Sequence, residues 1–488
     1  MVPGAVVTAR QTETNLIAET TTDQAGRFRF PYLRVGPYQV TVRLQGFSDA
    51  TTSLTLTVGS AFDLPVALAV AGVTTDITVT GQATVLEAAR SQIAGTVSQA
   101  EVQNLPMNGR NFLDLALLIP GVSPTNVGST QLFAETSAVP GQGLSVGSQR
   151  NFSNSFIVDG LSANDDAAGL SGMPYGVDAV DQFQVVTSGG QAELGRALGG
   201  YVNVLTKSGT NTVHGNVYDY VRDDNFNAVN ALTGLKLPMS QQQYGGSLGG
   251  PVVRDRTFFF GNFEQRKLDQ TGLVTISANN PDHVSTINTR LASVRYPGGA
   301  VTTGVYPNPV HSTHALGKVD HQLSGKDHFS VRYSLYNVTS DNSRGAGGLN
   351  APSASAGLDN TDQAVAFSNT MTLSARTVNE TRAQIAYGDL QAPPSDPIGP
   401  SVSISTVASF GTLSGSPTRR VNRMYQVVDN LSHQAGAHAL RAGFDVLYHD
   451  DTITYPRSVR GGYSVSALAN FLAGTDTPAG VTQTFGTR

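Results

Sequence analysis

The sequence contains no cysteine and no tryptophan, and only 14% of its 488 residues are charged. Without cysteine the chain cannot form a disulfide, a thiolate metal site or a cysteine nucleophile. The net charge of −5 is small for this length. It gives no basic surface of the kind that nucleic-acid-binding proteins carry, so no nucleic-acid partner is predicted.

Long apolar runs are also missing, and none reaches the roughly 18 residues of a membrane-spanning helix. The most apolar segments, FDLPVALAVAGV and LALLIPGV, are interrupted by Asp63, Pro65 and Pro120. This excludes a helical membrane protein. It does not exclude a membrane β-barrel, whose alternating strands leave mean hydropathy near neutral, as the value of −0.12 is.

Signatures of targeting and of catalysis are absent as well. The N-terminus lacks a signal peptide, so if the protein is exported we expect the natural N-terminus to be missing from this sequence. His311 and His314 have no glutamate that would make a zincin pattern, and GQGLSVG lacks dinucleotide-binding spacing. We therefore predict no enzyme, no catalytic residue, no cofactor and no metal site.

The length predicts two to four domains, and the first of these is all-β. In YQVTVRLQGF the apolar residues Tyr38, Val40, Val42 and Leu44 alternate with polar ones, which is the period of a half-buried strand. SLTLTV repeats the pattern. Several short strands at this spacing predict a small β-sandwich.

The following segment mixes helix and strand signals. Ser98 and Glu101 have the spacing of a capping box at a helix start. A second helix is predicted over Asn111 to Leu118, because an apolar stripe there ends at Pro120. Glycine-rich turns then separate FIVD, FQVVT and YVNVLT, so this segment is α+β.

From about residue 211 the pattern changes to long alternating strands. Phe329 to Leu335 in HFSVRYSLYNV and Leu440 to Tyr448 in ALRAGFDVLYHD place apolar groups on one face and polar or charged groups on the other. Such a strand fits a sheet with one solvated face, or a membrane barrel with lipid outside and a polar lumen. Alternation alone favours the soluble protein. We expect long polar loops between strands, such as Asp341 to Asp362.

Specific motifs, in order along the chain, favour the barrel. The stretch from Pro3-Gly4-Ala5 through the TTTDQAG turn to Gly46-Phe47 resembles the carboxypeptidase-regulatory-like domain, with its first strand missing. LPMNGRNFLDLALLIPGV, NSFIVDGLSANDD, VDQFQVVTSGGQAELGRALGGYVNVLTKSGTNTVHGNVYDYVRDDNFNA and QYGGSLGGPVVRDRTFFFGNFEQRK resemble the plug and first barrel strands of Oar-like TonB-dependent outer-membrane transporters. Together these resemblances cover nearly all of residues 1 to 270.

The resemblance implies two groups of site residues. Asp159-Gly160 is a turn signal that ends the FIVD strand, and Glu193 and Arg196 could pair with each other or with the barrel wall. Such pairs would be modest in a water-containing lumen. The plug motif residues are Asn108, Gly109, Arg110, Asp159, Gly160, Glu193 and Arg196.

A second group lies in a short segment between sandwich and plug. This segment resembles a TonB box, through which an inner-membrane coupling protein grips such transporters; its residues are Asp76, Ile77, Thr78, Val79 and Thr80. An alternating β-branched segment suits strand addition to a partner. The alternative interpretation is the last sandwich strand or a linker.

The sequence as a whole predicts a mainly β protein of the bacterial outer membrane: a sandwich (1–74), a TonB-box-like linker (75–81), an α+β plug (82–210) and the N-terminal part of an antiparallel transmembrane barrel (211–488). It would bind and import an extracellular solute, with a TonB-like protein and outer-membrane lipid as partners. The solute remains open among siderophore, oligosaccharide and peptide, because loops carry the specificity.

Two other functions remain open: an adhesin or surface receptor of the same fold, and a secreted hydrolase bearing the sandwich. The hydrolase needs a catalytic constellation that we do not find, and an adhesin should not depend on residues 76–81. Nine or ten strands are expected after residue 211, against roughly 22 in a plugged transporter, so we expect an open sheet around the plug.

Overall fold

The computed structural model describes residues 2–71, 92–125 and 143–482, apart from residues 31, 62, 108, 167–168, 191, 232–233, 279, 437, 457 and 476–479. Within this part three units follow one another along the chain. They are a small N-terminal sheet domain, a mixed domain and one large antiparallel sheet.

The N-terminal domain, which we call the sandwich, is built on four antiparallel strands in the order β2-β1-β3-β4. Their bounds are β1 Val6–Gln11, β2 Ile17–Thr21, β3 Gly36–Arg43 and β4 Ala50–Leu56. Tyr38, Val40 and Val42 are buried, as the alternation predicts. The apolar residues of two irregular segments, 28–33 and 64–68, pack on this face of the sheet and form the second layer.

The mixed domain, residues 92–206, combines helices and strands as the α+β prediction requires, and we call it the plug. In its main sheet, of order β5-β12-β13-β8-β9, β13 and β8 are parallel and the other neighbours are antiparallel. Its apolar core includes Val102, Phe112, Phe183 and Val202. The strands are β5 Ile93–Val97, β6 Val122–Pro124, β7 Leu144–Val146, β8 Ser155–Val158, β9 Leu161–Ser162, β10 Asn164–Asp165, β11 Leu170–Ser171, β12 Val180–Ser188 and β13 Tyr201–Thr206.

Both helices predicted in the plug are present. The helix α1 (Gln99–Asn104) begins with the predicted capping box: Ser98 Oγ accepts from the Glu101 amide, and the Ser98 amide donates to Glu101 Oε2 at 2.7 Å. The second helix is a 3-10 helix, Phe112–Leu118, with Asn111 as its N-cap.

The remaining helices are short. They are α2 His283–Ser293 and α3 Leu468–Ala473, and the 3-10 turns are Asn151–Ser153, Val177–Ala179, Ala192–Leu194, Asp224–Phe226 and Pro352–Ala354. No helix in the described ranges is long and apolar enough to span a membrane.

The large sheet, which we call the wall, contains nine long strands in a meander, β14-β15-β16-β18-β19-β20-β21-β24-β25, with the short β17 beside β16. The strands from here to the end of the described chain are β14 His214–Asp223, β15 Met239–Val253, β16 Thr257–Val274, β17 Gly304–Pro307, β18 Val310–Ser324, β19 Asp327–Arg344, β20 Ala356–Ser374, β21 Thr377–Ala392, β22 Ser401–Ile404, β23 Ala408–Phe410, β24 Thr418–Ala435, β25 His438–Thr454, β26 Gly462–Val465 and β27 Gly480–Thr482.

The two faces of the wall differ as the alternation predicts. Ser330, Arg332 and Ser334 on β19 are buried on the face toward the plug, whereas Tyr333 is 41% exposed on the other face. An apolar outer face and a polar inner face are the pattern of a transmembrane barrel strand. The outer face of β25 carries four large side chains that are 55–62% exposed: Leu440, Phe444, Val446 and Tyr448.

The two ends of the wall also differ. Short turns join β15 to β16, β18 to β19, β20 to β21 and β24 to β25 at one end. Long connections join β14 to β15, β16 to β18, β19 to β20 and β21 to β24 at the other. In outer-membrane barrels the short turns are periplasmic and the long loops extracellular. The loop expected from Asp341 to Asp362 is shorter than predicted, because β19 and β20 continue into it.

Three of the long connections, 275–309, 345–355 and 393–417, pack together with residues that follow β25 into one body, which we call the cap. A mixed sheet of order β23-β22-β26-β27 and the helix α2 belong to it. Its apolar core includes Ile287, Leu291, Val402, Ile404 and Phe410, all buried. The sequence analysis did not predict this core.

The wall is open, as expected. Among the described residues β14 pairs only with β15, and β25 pairs only with β24. Plug residues nevertheless contact the inner face from β14 to β25, so the sheet curves around the plug. Each edge strand presents a row of backbone groups that neither its own sheet nor lipid can satisfy.

This open edge gives a test of the architecture. Expressed alone, residues 1–488 should migrate at the same position in a denaturing gel before and after boiling, because closed barrels resist detergent until heated and an open sheet does not. A closed outer-membrane barrel run beside it serves as the control. A heat-modifiable monomer would contradict the open sheet.

Candidate functional site

The predicted site residues fall into two sets in the structure. Among the plug residues that the structure places, four contact the wall directly, and Arg196 lies beside the boundary between plug and wall. The residues placed by the structure are Gly109, Arg110, Asp159, Gly160, Glu193 and Arg196. Six predicted residues lie outside the described part of the chain: Asp76, Ile77, Thr78, Val79, Thr80 and Asn108.

Arg110 links the plug to the start of the wall. Its Nη2 lies 2.5 Å from Asp178 Oδ2 in the plug, and its Nε lies 3.3 Å from Glu264 Oε2 on β16. The side chains of Asp178 and Glu264 are 7% and 2% exposed, and that of Arg110 is 15% exposed. Gly109, at φ 81°, provides the turn that precedes this arginine.

Two tyrosines of β14 complete the Arg110 environment. The guanidinium carbon lies 4.4 Å from the ring centroid of Tyr218 and 4.6 Å from that of Tyr220, which are cation–π distances. Tyr218 Oη donates to Glu264 at 2.7 Å. Asn216 Nδ2, also on β14, donates to Asp178 Oδ1 at 2.6 Å, so the first wall strand is bound to the plug through Arg110 and through its partner Asp178.

Asp159 makes the second link, at the centre of the wall. Asp159 and Gly160 have φ of 51° and 80°, so this Asp-Gly pair forms the predicted turn between β8 and β9. The carboxylate accepts from the Thr206 amide at 2.9 Å and from Thr206 Oγ1 at 2.7 Å. It also pairs with Arg332 on β19 and lies 3.7 Å from Lys318 Nζ on β18.

The charge state of Asp159 follows from these contacts. Burial opposes ionisation of the carboxyl, but Lys318 and Arg332 and the two hydrogen bonds from Thr206 outweigh it and lower the pKa to about 2. The carboxylate is therefore ionised at any physiological pH. It holds the tip of the β8–β9 turn against two cations of the wall.

Gly160 is required by the close approach of the wall. A Cβ at this position would lie 2.7 Å from Arg382 Nε on β21. Arg382 is itself held by Glu380, 2.6 Å away. Any side chain at position 160 would force this arginine or the turn to move.

Backbone groups of the plug are also bound by wall side chains. The Ser162 amide donates to Gln426 Oε1 at 2.8 Å, and the Ser162 carbonyl accepts from Gln384 Nε2 at 2.7 Å. The two glutamines bond to each other at 2.8 Å. Sequence reasoning missed this pair, and the available signal was glutamine at inward-facing positions of β21 and β24.

The last wall strands bind further plug carboxylates. Arg420 on β24 makes a bidentate contact with Asp165, at 2.8 and 2.5 Å. His449 Nε2 on β25 lies 2.9 Å from Asp166 Oδ2. These aspartates belong to the NSFIVDGLSANDD motif, although no role was predicted for them.

Glu193 and Arg196 do not pair with each other. Glu193 pairs with Arg441 on β25, which is the second of the two predicted alternatives. Arg196 instead binds Asp166 within the plug, at 2.6 Å. The two side chains are three residues apart, but a 3-10 turn at Ala192–Leu194 and the positive φ of Arg196 direct them to different partners.

The modest strength expected of the pairs made by Glu193 and Arg196 does not extend to the other pairs between plug and wall. Modest energies suit Glu193 and Arg441, which are 30% and 52% exposed. The pairs at Arg110, Asp159 and Arg420 are largely buried, and removing one partner of a buried pair costs about 3–5 kcal/mol. Burial of the plug against the wall is the reason for the difference.

A cavity of about 80 Å³ lies between plug and wall, beside the Asp165 contact. Asp165, Tyr175, Asp362, Tyr387 and Asn422 are among its lining residues. It is large enough for water, and several polar side chains face it. No group of three histidine, aspartate or glutamate side chains in the described ranges is placed to hold a metal ion.

Similarity to known proteins agrees with this geometry. Residues 205–315 and 282–488 match the family model described as Outer membrane beta barrel domain, which covers more than half of the chain. The chain belongs to the outer membrane β-barrel family. Residues 1–69 match the Carboxypeptidase regulatory-like domain, which confirms the resemblance found at the N-terminus.

The individual proteins to which this family member is similar share 26% of their residues with it or fewer over the aligned part. The TonB-dependent transporter Oar of Myxococcus xanthus is 26% identical over 280 residues, covering 54% of this chain and 25% of Oar. The outer membrane transporter YddB from Escherichia coli has a TM-score of 0.53 at 15% identity, covering 77% of this chain and 50% of YddB. The siderophore receptor PirA from Acinetobacter baumannii has a TM-score of 0.48 at 15% identity, covering 74% of this chain and 48% of PirA.

These matches establish where the family member acts. Its location is the bacterial outer membrane, and the resemblance to Oar-like TonB-dependent transporters is confirmed. The likeness to YddB shows the fold alone. The chain spans about a quarter of the length of Oar and half that of YddB.

The Asp159 contact gives a stability prediction. Asp159→Asn should destabilise the plug by about 2–5 kcal/mol at neutral pH. Lowering a pKa from 3.8 to about 2 is equivalent to about 2 kcal/mol, and leaving buried Arg332 without its partner brings the cost toward that of a broken buried pair. Because the folded pKa is depressed, this stabilisation is complete above pH 3.8 and is lost as pH falls through about 2. Urea unfolding of the wild type and the variant, from pH 7 to pH 2, measures the difference.

A matched control is Asp49→Asn, which removes the exposed Arg43–Asp49 pair of the sandwich. It should change stability little at any pH. Equal effects of the two substitutions would contradict the assigned role of Asp159.

Proposed function

We propose that the protein is a TonB-dependent outer-membrane receptor and transporter, which binds an extracellular solute and imports it after the plug is displaced. In this proposal residues 1–74 are the sandwich, 75–81 the coupling segment, 82–210 the plug and 211–488 part of the barrel. The observation that carries it is the plug itself, bound to the inner face of the wall from β14 to β25.

The chemistry of the plug–wall contact supports displacement. Most links are ion pairs and hydrogen bonds, such as those of Arg110, Asp159 and Ser162. Apolar contacts are fewer: Leu161 packs on Ala366 and Val428 of the wall, and the wall residues Phe260 and Leu316 pack against the apolar core of the plug. When the plug moves as a body, water enters and solvates both partners of each pair. The cost is then lower than in a mutation that leaves one charge buried and unpaired.

Energy for displacement would come from a TonB-like inner-membrane partner. Residues 76–81, with the sequence DITVTG, are suited to adding a strand to the edge of such a partner through main-chain hydrogen bonds. The named relative, a TonB-dependent transporter, supports this proposal. The segment joins the sandwich to the plug, so a pull on it acts on the plug directly along the chain.

The solute class is left to experiment. Siderophore, oligosaccharide and peptide each fit a receptor whose specificity lies in loops and the plug apex. Growth of a deletion strain on a panel of these three solute classes would identify the nutrient whose use depends on the protein. Growth unchanged on every member of the panel would favour the adhesin or surface receptor.

Energy coupling is tested by Val79→Pro. Proline removes an amide donor and fixes φ, so it should break strand addition and stop uptake while surface binding of the identified solute remains. Complementation of the deletion strain is the measurement, with Ala83→Pro, outside the segment, as the matched control. Full complementation by Val79→Pro would contradict the coupling role and favour a linker.

Gating is tested by deleting residues 82–210 from the full-length protein expressed in its native cell. The remaining barrel should admit large antibiotics that the intact outer membrane excludes, because no domain would fill the lumen. Antibiotic sensitivity is the measurement, and heat-modifiable gel mobility checks that the barrel still assembles. An assembled barrel with unchanged sensitivity would contradict the gating role.

A further inference from the structure

The sandwich is fixed to the periplasmic end of the wall. Asn15 Nδ2 donates to Asp255 Oδ1, 2.9 Å away, in the short turn between β15 and β16. Asn211 lies at the entry to β14, and its Nδ2 donates to the same carboxylate oxygen at 2.7 Å. The Asn211 backbone amide donates to the Glu13 backbone carbonyl at 2.9 Å. Three parts of the chain therefore meet at one turn.

Arg34 makes a second contact, deeper inside the wall. Its Nη2 lies 3.2 Å from Asp320 Oδ1 on β18, and its Nη1 donates to His328 Nε2 on β19 at 2.8 Å. The Asp320 side chain is only 1% exposed, and that of Arg34 is 23% exposed. A sandwich arginine is thus the counter-ion of a buried wall carboxylate.

The third contact is with the plug. The Val58 amide donates to Gln182 Oε1 at 3.0 Å, and Gln184 Nε2 donates to the Val58 carbonyl at 3.1 Å. Both glutamines are buried and lie on β12, a central strand of the plug sheet. At the next residue, Gly59, a Cβ would lie 2.4 Å from Gln184 Oε1, so the approach is as close as the backbone permits.

We propose that the sandwich is a latch, which holds the plug in place from the periplasmic side and must undock before the plug can move. The latch rests on the proposed function, since it requires that the plug is displaced. One domain binds both the rim of the wall and a central strand of the plug, so the plug cannot leave toward the periplasm while all three contacts persist. Residues 72–91 connect the sandwich to the plug in sequence, so a force applied to this segment acts on both domains.

The test uses a cysteine reporter, which the chain's lack of cysteine makes specific. Leu316 on β18 is 5% exposed and packs against the apolar core of the plug. In Leu316→Cys, reaction with a membrane-impermeant maleimide reports plug displacement. Labelling is followed in intact cells with and without a protonophore, which removes the inner-membrane energy source.

The latch predicts that Arg34→Ala raises labelling in protonophore-treated cells by about tenfold, because the displaced plug becomes more populated. Arg43→Ala is the matched control, since the ion pair of Arg43 is with Asp49, inside the sandwich. Asn15→Ala, at the exposed rim contact, should raise labelling by a smaller factor. Heat-modifiable mobility shows that each variant assembles.

The outcomes separate the latch from the proposed function. Assembled Arg34→Ala and Asn15→Ala proteins that label no faster than Arg43→Ala would overturn the latch, even if energised cells label faster than treated ones. Faster labelling of Arg34→Ala in treated cells, with no effect of energy on the wild type, would support the latch and contradict energy-driven displacement. Labelling raised by both Arg34→Ala and energy supports both proposals.

Discussion

Each long strand of the wall must satisfy lipid on one side and a polar domain on the other, and the rest of the structure depends on this constraint. Lipid offers no hydrogen-bond partners, so every wall strand pairs its backbone with a neighbouring strand and directs apolar side chains outward. Because successive side chains of a strand point to opposite faces, every second residue then faces the lumen. Arg332, Arg420 and Arg441 all occupy such inward positions, and the plug carries the carboxylates that match them.

The same constraint bears on the proposed displacement of the plug. A wholly apolar interface of this extent would be costly to expose, whereas charged and polar groups regain hydration when water enters. The largely buried pairs, at Arg110, Asp159 and Arg420, fix the plug's position, and the exposed Glu193–Arg441 pair adds little. The sandwich uses the same chemistry at Arg34 on the periplasmic side.

Local features of the fold could be predicted from the sequence, and partners distant along the chain could not. The capping box at Ser98, the Asp159-Gly160 turn and the two faces of β19 each follow from a few neighbouring residues. The Ser162 contact with Gln384 and Gln426 spans more than two hundred positions and depends on wall curvature and strand register. The burial of Asp159 could not be predicted for the same reason, because no local pattern indicates that it lies against cations of β18 and β19.

The cap has a consequence for how the extracellular surface can change during evolution. Its core joins α2, β22 and β23 with residues from several different connections, so these connections are not independent units. Replacing one connection would expose apolar side chains such as Ile287 or Phe410 that the others bury. A change in the shape of this surface is therefore more accessible through single substitutions on the outer side of the cap than through exchange of whole loops.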